Sequence, residues 1–393
     1  MTIQKTTLMP TSYSVIFAVS GAHLINDLMQ FLLPALYPIF KSEYALNYFQ
    51  LGLLTLAQQI TACLLQPIMG LYGDLKPRPY TLAVSMAVVG LGVAMLAMAN
   101  SFMLLLAAAT VLGVGSALFH PEASRVCRMA SGGQRGFAQS SFQVGGNTGT
   151  ALGPLAAALF VLPLGQFSTV WFGLLAVLSV VILTGVARWF ANHQRTMNTV
   201  AAPQLSLPQL PRRRLMVSFA IIGALLLSKF VYIETLKSYY TFFLIEKFGL
   251  EIGSAQTILF VFLAAVAVGT FVGGPIGDRI GRRKVIWGSI LGALPFSLML
   301  PYTNLLGTIA LSIVVGLILA SAFSAIVVYA QELLPQKIGM VSGFVFGFAF
   351  GIGALGAAAL GAIADQIGIL QVFNFLPILL ALGLLTFYLP ETD

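Results

Sequence analysis

Charge is the scarcest property of this sequence. Only 8% of its 393 residues are Asp, Glu, Lys or Arg, against about 25% in soluble globular chains. A water-soluble protein of this length would need far more polar area to cover its core, so the deficit makes the bilayer the solvent. Cysteine is almost missing as well. Cys63 and Cys127 both fall in or beside apolar stretches, which excludes a disulfide framework and a thiolate metal centre. The ten-residue alternating segments of a transmembrane β-barrel are absent. So is any soluble segment large enough for a receptor or scaffold domain. There is no nucleophile elbow, zinc spacing or nucleotide-binding loop, which argues against an enzyme and against self-contained ATP-driven transport. No cofactor and no metal are expected.

What is present is apolar: 58% hydrophobic residues, 39 glycines and a mean hydropathy of +0.94. Runs long enough to cross a bilayer as helices are expected near 13–40, 49–73, 79–99, 102–130, 137–162, 168–191, 214–246, 254–277, 284–302, 305–334, 338–364 and 369–389. The first run is too long for a cleavable signal segment. With the amino terminus inside, sixteen of the 20 basic residues fall on the cytoplasmic side. Only Lys41 and Lys247 fall outside, while Lys229 and Lys237 lie within a span. That bias orients the chain with both termini cytoplasmic. The net charge of +8 therefore reports topology rather than affinity for nucleic acid. A Pro-, Gln- and Thr-rich stretch at 193–213 separates a bundle at 1–192 from a second at 214–393.

The halves repeat each other. Gly70-Leu-Tyr-Gly-Asp74-Leu-Lys76-Pro-Arg78 follows the second span, and Gly274-Pro-Ile-Gly-Asp278-Arg279-Ile-Gly281-Arg282-Arg283-Lys284 follows the eighth, with the aspartates 204 positions apart. Glycine suits a tight turn and a carboxylate can cap a converging helix end. Two such loops at equivalent points indicate duplication. They resemble motif A of the major facilitator superfamily, with the first copy degraded at Leu75 and Pro77. Gly145-Gly146-Asn-Thr-Gly149-x-x-x-Gly153-Pro154 in the fifth span resembles motif C of its drug:proton antiporters, or else is an ordinary small-residue helix interface. HLINDLMQ, FHPEASRVCRMASGG, SFQVGGN and YAQELLP look like the fosmidomycin-resistance exporters of that superfamily.

The resemblance implies twelve transmembrane helices in two six-helix bundles, an all-α integral membrane fold in a bacterial inner membrane. It implies export of phosphonate antibiotics in exchange for protons by alternating access, with no partner beyond substrate, protons and lipid, by a monomer. The alternative is a proton-coupled uptake symporter for small organic anions. Gly70, Asp74, Gly274, Asp278, Arg279, Gly281 and Arg282 would gate through motif A, and Gly149, Gly153 and Pro154 through motif C.

An ionisable group inside the bilayer costs about 2.5–3.5 kcal/mol or more, so each needs a partner or a job. His23, Asn26, Asp27 and Gln30 fall within an arc of about 100° on the first span. Asp27 is the leading proton carrier and Glu122 the second, with His23 and His120 tuning them. Pro121 should kink the fourth span beside them. Glu122 and Arg125, three apart, form either a fixed bridge or a protonation switch. Arg128 is expected to brace Asp74, and Glu332 the second motif-A loop. Glu234 and Lys237 read as a self-contained pair. Lys229 has no acid on its own helix. It is either neutralised by Asp27 or Glu122, or is free for an anionic substrate, with Tyr232 and Tyr240 donating from the same face. Asn26, Gln30 and Arg125 complete the candidate substrate contacts. The many Met and Phe residues read as packing and lipid-facing surface.

Overall fold

The structure, a computed structural model, describes residues 10–36, 40, 43–46, 48–199, 211–250 and 252–390. In hydrocarbon every backbone N–H and C=O must be satisfied within the chain, and helices do this locally. The described residues accordingly form helices joined by short turns. They are α1 (Tyr13–Ala35), α2 (Tyr48–Leu75), α3 (Thr81–Met98), α4 (Phe102–Ala130), α5 (Arg135–Ala156) and α6 (Phe172–Thr199). Then follow α7 (Arg212–Phe248), α8 (Ile252–Ile280), α9 (Arg282–Met299), α10 (Leu305–Ala320, continuing as Ala322–Leu333), α11 (Ile338–Ile367) and α12 (Ile369–Phe375, continuing as a 3-10 segment to Tyr388). Eleven of the described helical stretches are long and apolar enough to cross a membrane. The exception is α5, whose first half carries Gln139, Ser140, Ser141, Gln143 and Asn147.

The expected spans therefore stand, with shifted ends. The first helix stops at Ala35 rather than 40, and α5 gives way at Ala157–Val161 to a wider turn. α6 runs on to Thr199 and α7 begins at Arg212 behind Pro211, so helix reaches into both ends of the expected linker. Residues 200–210 of that linker lie outside the described residues. Pro121 sits inside an unbroken α4. Gly281, at φ +95°, turns the chain from α8 into α9, a conformation that a Cβ would disfavour.

Two bundles result. In the first, α1 packs on α5, α2 on α4, and α3 on α4 and α6; in the second, α7 packs on α11 and α12, α8 on α10, and α9 on α10 and α12. The bundles meet through α2 with α11 and α5 with α8. Adding six to each helix number exchanges these pairs, which is the signature of a pseudo-twofold repeat. Both seams are tight near the ends that carry the motif-A loops. A Cβ on Gly70 would lie 2.0 Å from Gly339 O, and one on Gly274 2.1 Å from Gly136 O. Along the α2–α11 seam the close approach continues through Gln66 with Gly343 and Cys63 with Gly347. Beyond Gly353, α11 turns its glycines to α7 of its own bundle instead.

Candidate functional site

Three side chains converge inside the first bundle, two buried histidines and a partly buried aspartate. His23 and Asp27 are one turn apart on α1, and His120 enters from α4. His23 Nε2 is 3.4 Å from Asp27 Oδ2, and His120 Nε2 is 3.7 Å from Asp27 Oδ1. The two Nε2 atoms are 3.2 Å apart. On their far sides, His23 Nδ1 donates to Phe142 O at 2.7 Å and His120 Nδ1 to Ser116 O at 3.0 Å. Asn26 Nδ2 donates to Asp27 Oδ1 at 2.8 Å, while its own Oδ1 is buried without a hydrogen-bond partner.

Motif C makes room for this cluster. A Cβ on Gly146 would lie 2.4 Å from His23 Cε1 and 2.8 Å from Asp27 Oδ2. Gly145 and Gly149 bring α5 against the Ser20 and Leu24 carbonyls, and Gly153 meets Phe31. This face is a helix interface within one bundle that also shapes the polar cluster. Pro154 continues the same helix, but its side chain lies outside the described residues.

Gln30 is a tie rather than a cavity group. It donates to Leu112 O at 2.9 Å and accepts from Gln58 at 2.5 Å, fastening α1 to α4 and α2.

Nearer the basic end, Glu122 and Arg125 pair, doubly bonded at 2.6 and 2.5 Å, as both the bridge and the switch require. Arg125 also donates to Gly73 O at 2.5 Å and lies 3.9 Å from Asp74 Oδ1. The expectation that Arg128 braces Asp74 needs correction: Arg128 donates instead to Gln331 Oε1 across the seam, at 3.1 Å. Arg125 is placed nearer to Asp74 because its fork already reaches Gly73 one residue before it.

The two motif-A aspartates do the same thing in opposite directions. Asp74 of the first bundle accepts from Gly339 N and Met340 N at 2.9 and 2.8 Å. Asp278 of the second accepts from Gly136 N and Phe137 N at 2.9 Å each. Each carboxylate therefore caps the first turn of a helix in the other bundle, where orphan N–H groups and the helix dipole favour an anion. Arg282 holds Asp278 at 2.6 Å and lies 3.7 Å from Glu332, so Glu332 does brace the second loop. Arg279 is exposed.

Residues that the sequence reading passed over complete this seam. Gln331, inside YAQELLP, donates to Ser124 and Ser342 at 2.9 and 2.8 Å. Arg135 meets Glu332 at 2.9 Å across the bundles. The periodicity of α10 buries Gln331 among apolar neighbours, and that was the available signal.

Lys229 has no carboxylate partner among the described residues. It is buried, and Nζ donates to Ala320 O at 3.3 Å beneath the rings of Phe323 and Phe230, 5.2 and 5.6 Å away. No carboxylate pairs with it among the described residues, so neutralisation by Asp27 or Glu122 is not what the geometry shows. Glu234 and Lys237 pair with each other at 2.6 Å, as expected. The hydroxyls of Tyr232 and Tyr240 are engaged within the second bundle, with Ser297 donating to Tyr232 at 2.6 Å and Tyr240 donating to Thr308 O at 3.4 Å.

Between the histidines and Lys229 lies a partition of phenylalanines. Phe142 stacks on His23 at 3.9 Å, and Phe346 and Phe350 lie 5.5 and 6.1 Å from His120. Phe346 then meets Phe323 at 5.4 Å, and Phe323 meets Phe230 at 4.9 Å. These rings belong to the packing part of the phenylalanine content rather than to its lipid-facing part.

Comparisons with known proteins agree with this architecture. The sequence model of the Major Facilitator Superfamily matches residues 19–243 and 235–393. The chain is 50% identical over 387 residues to the fosmidomycin resistance protein of Escherichia coli (strain K12), covering 98% of this chain and 95% of that protein. It is 40% identical over 396 residues to an uncharacterized MFS-type transporter, YfnC, of Bacillus subtilis (strain 168), with 99% and 96% covered. Among solved structures, the transporter FucP in its outward conformation superposes with a TM-score of 0.73 over 96% of this chain and 98% of that one. At 16% identity, that likeness shows the fold.

Proposed function

We propose, since this chain belongs to the major facilitator superfamily, that it exports fosmidomycin-like phosphonates in exchange for protons by alternating access. The basic end is then cytoplasmic, the membrane is a bacterial inner membrane, and the working unit is a monomer. The bundles 1–192 and 214–393, joined by 193–213, rock about their seams. The observation that carries the substrate class is the 50% identity along 98% of the chain to a protein named for fosmidomycin resistance. Two features of the interior support the mechanism. The His23–Asp27–His120 cluster is the best placed group to take a proton, with Glu122 second. Lys229, buried with no carboxylate paired to it among the described residues, supplies the positive charge that an anion needs at the bilayer midplane, where an unpaired charge is prohibitive. Asn26, Arg125, Tyr232 and Tyr240 are the remaining candidate contacts.

In this reading the two aspartate latches hold the cytoplasmic side shut. A proton entering from outside displaces substrate and leaves inward as the empty carrier resets. Each charge moved through 100 mV contributes about 2.3 kcal/mol, enough to drive useful accumulation. A second reading reverses the direction, as uptake of a small organic anion with a proton, and the anion-ready Lys229 suits it equally. Proteoliposomes with an imposed pH gradient separate the two. Export predicts fosmidomycin moving against the proton flow; movement with it would establish the symporter, and no fosmidomycin movement at all would remove this substrate class.

A further inference from the structure

His23 and His120 turn their Nε2 atoms to each other at 3.2 Å. A carbonyl oxygen only accepts, so Phe142 O takes its hydrogen from His23 Nδ1, which leaves that neutral ring's Nε2 bare. His120 Nδ1 lies 3.0 Å from Ser116 O and 3.2 Å from Ser116 Oγ. With its hydrogen on the carbonyl, its Nε2 is bare as well, and the pair then favours a cation between the rings. Asp27 supplies the matching negative charge from the third side at 3.4 and 3.7 Å. One proton satisfies the geometry, and so does one metal ion.

We propose that His23, Asp27 and His120 form a three-ligand site for a single divalent transition-metal ion of the Zn2+ type, which competes there with the coupling proton. The proposal rests on the reading of this cluster as the proton site. Donors around a tetrahedral zinc stand about 2.0–2.1 Å from the metal, which places them about 3.3–3.4 Å from one another. The Nε2–Nε2 separation of 3.2 Å and the 3.4 Å from His23 Nε2 to Asp27 Oδ2 lie close to that value, and His120 Nε2 is 3.7 Å from the other carboxylate oxygen, Oδ1. The outer hydrogen bonds are those that metal-bound imidazoles use to fix tautomer and orientation, and Asn26 Nδ2 does the same for the carboxylate. Two imidazoles and one carboxylate favour zinc-like ions over Mg2+ or Ca2+, which require oxygen donors. Three protein ligands leave a fourth position for water. His23 and His120 are 97 positions apart, so no ligand spacing in the sequence announces this site.

The test titrates the purified full-length protein in detergent with Co2+ and then Zn2+. Wild type should take one equivalent of Co2+ and develop the intense visible absorption of a tetrahedral ion, which Zn2+ then removes. Affinity should fall as the pH is lowered, because protons compete with the metal for the ligand atoms. Asp27→Asn and His120→Gln should abolish the band. His193→Gln, which changes a third histidine stacked on Trp189, should leave it intact. Absence of the tetrahedral band in wild type overturns the proposal whether or not the variants fold, as does its survival in folded Asp27→Asn. A wild type that binds no metal but loses proton-driven transport through Asp27→Asn would refute the metal site alone. Metal binding together with unimpaired transport in Asp27→Asn would refute the proton reading alone.

Discussion

The amino-terminal and carboxyl-terminal bundles lock onto each other through one device used twice, yet they enclose different chemistry. Asp74 and Asp278 each cap a helix of the opposite bundle with two backbone hydrogen bonds of 2.8–2.9 Å. Inside, the first bundle holds His23, Asp27, His120, Glu122 and Arg125 within a few turns of one another. The second holds a buried Lys229 among phenylalanines, with no paired carboxylate among the described residues. Duplication has kept the contact that any rocking pair must make and let the interiors diverge. On the proposed function the proton belongs to one half and the anion to the other, with the rings of Phe142, Phe346, Phe350, Phe323 and Phe230 between them.

Lys229→Gln should break the comparison most deeply. If the second bundle contributes the anion site, phosphonate export should fall to background while export of any neutral substrate persists. Parallel loss of both activities in a folded protein would make Lys229 structural. The steric seam comes next. Ala at Gly70 or Gly274 places a Cβ 2.0–2.1 Å from a carbonyl of the other bundle, so the halves cannot close as they do here. Labelling of cysteines introduced at the basic end should rise strongly and about equally in Gly70→Ala and Gly274→Ala. Unchanged labelling would show that this seam does not gate.

Removing a latch should act more mildly. Asp278→Ala or Asp74→Ala gives up two charge-assisted hydrogen bonds, about 3 kcal/mol, which shifts the closed-to-open ratio roughly 150-fold. Asp278→Ala should be the larger, because Arg282 loses a partner at 2.6 Å whereas Arg125 keeps Glu122. The same labelling assay reads it, and a larger shift in Asp74→Ala would contradict the ordering. Smallest is Glu234→Gln. Its pair with Lys237 lies in the half of α7 nearer Phe248 and is partly exposed, and partly exposed pairs contribute about 0–1 kcal/mol. Transport and thermal stability should stay near wild type.

Most of the fold was legible in the sequence because hydrocarbon leaves few choices. Long apolar runs must be helices. The motif-A duplication also disclosed the seams, since glycine is needed where two backbones touch. Within the site, Asp27 with His23 was readable from one helical face, and Glu122 with Arg125 from a spacing of three. What was hidden is the third dimension between helices. His120 joins His23 only because α4 packs beside α1. Arg128 crosses to Gln331 rather than to Asp74, and Gln30 spends its amide on Leu112 and Gln58. The aromatic partition has no sequence signal at all, because phenylalanine that packs inside and phenylalanine that faces lipid follow the same apolar pattern.

The claim that the first bundle carries the coupling proton is tested most directly by comparing two modes of transport in Asp27→Asn proteoliposomes. Fosmidomycin accumulation driven by an imposed pH gradient should be lost, while counterflow exchange of labelled for unlabelled fosmidomycin, which needs no net proton movement, should continue. Wild-type gradient-driven accumulation in that variant would contradict the account and remove Asp27 from the cycle.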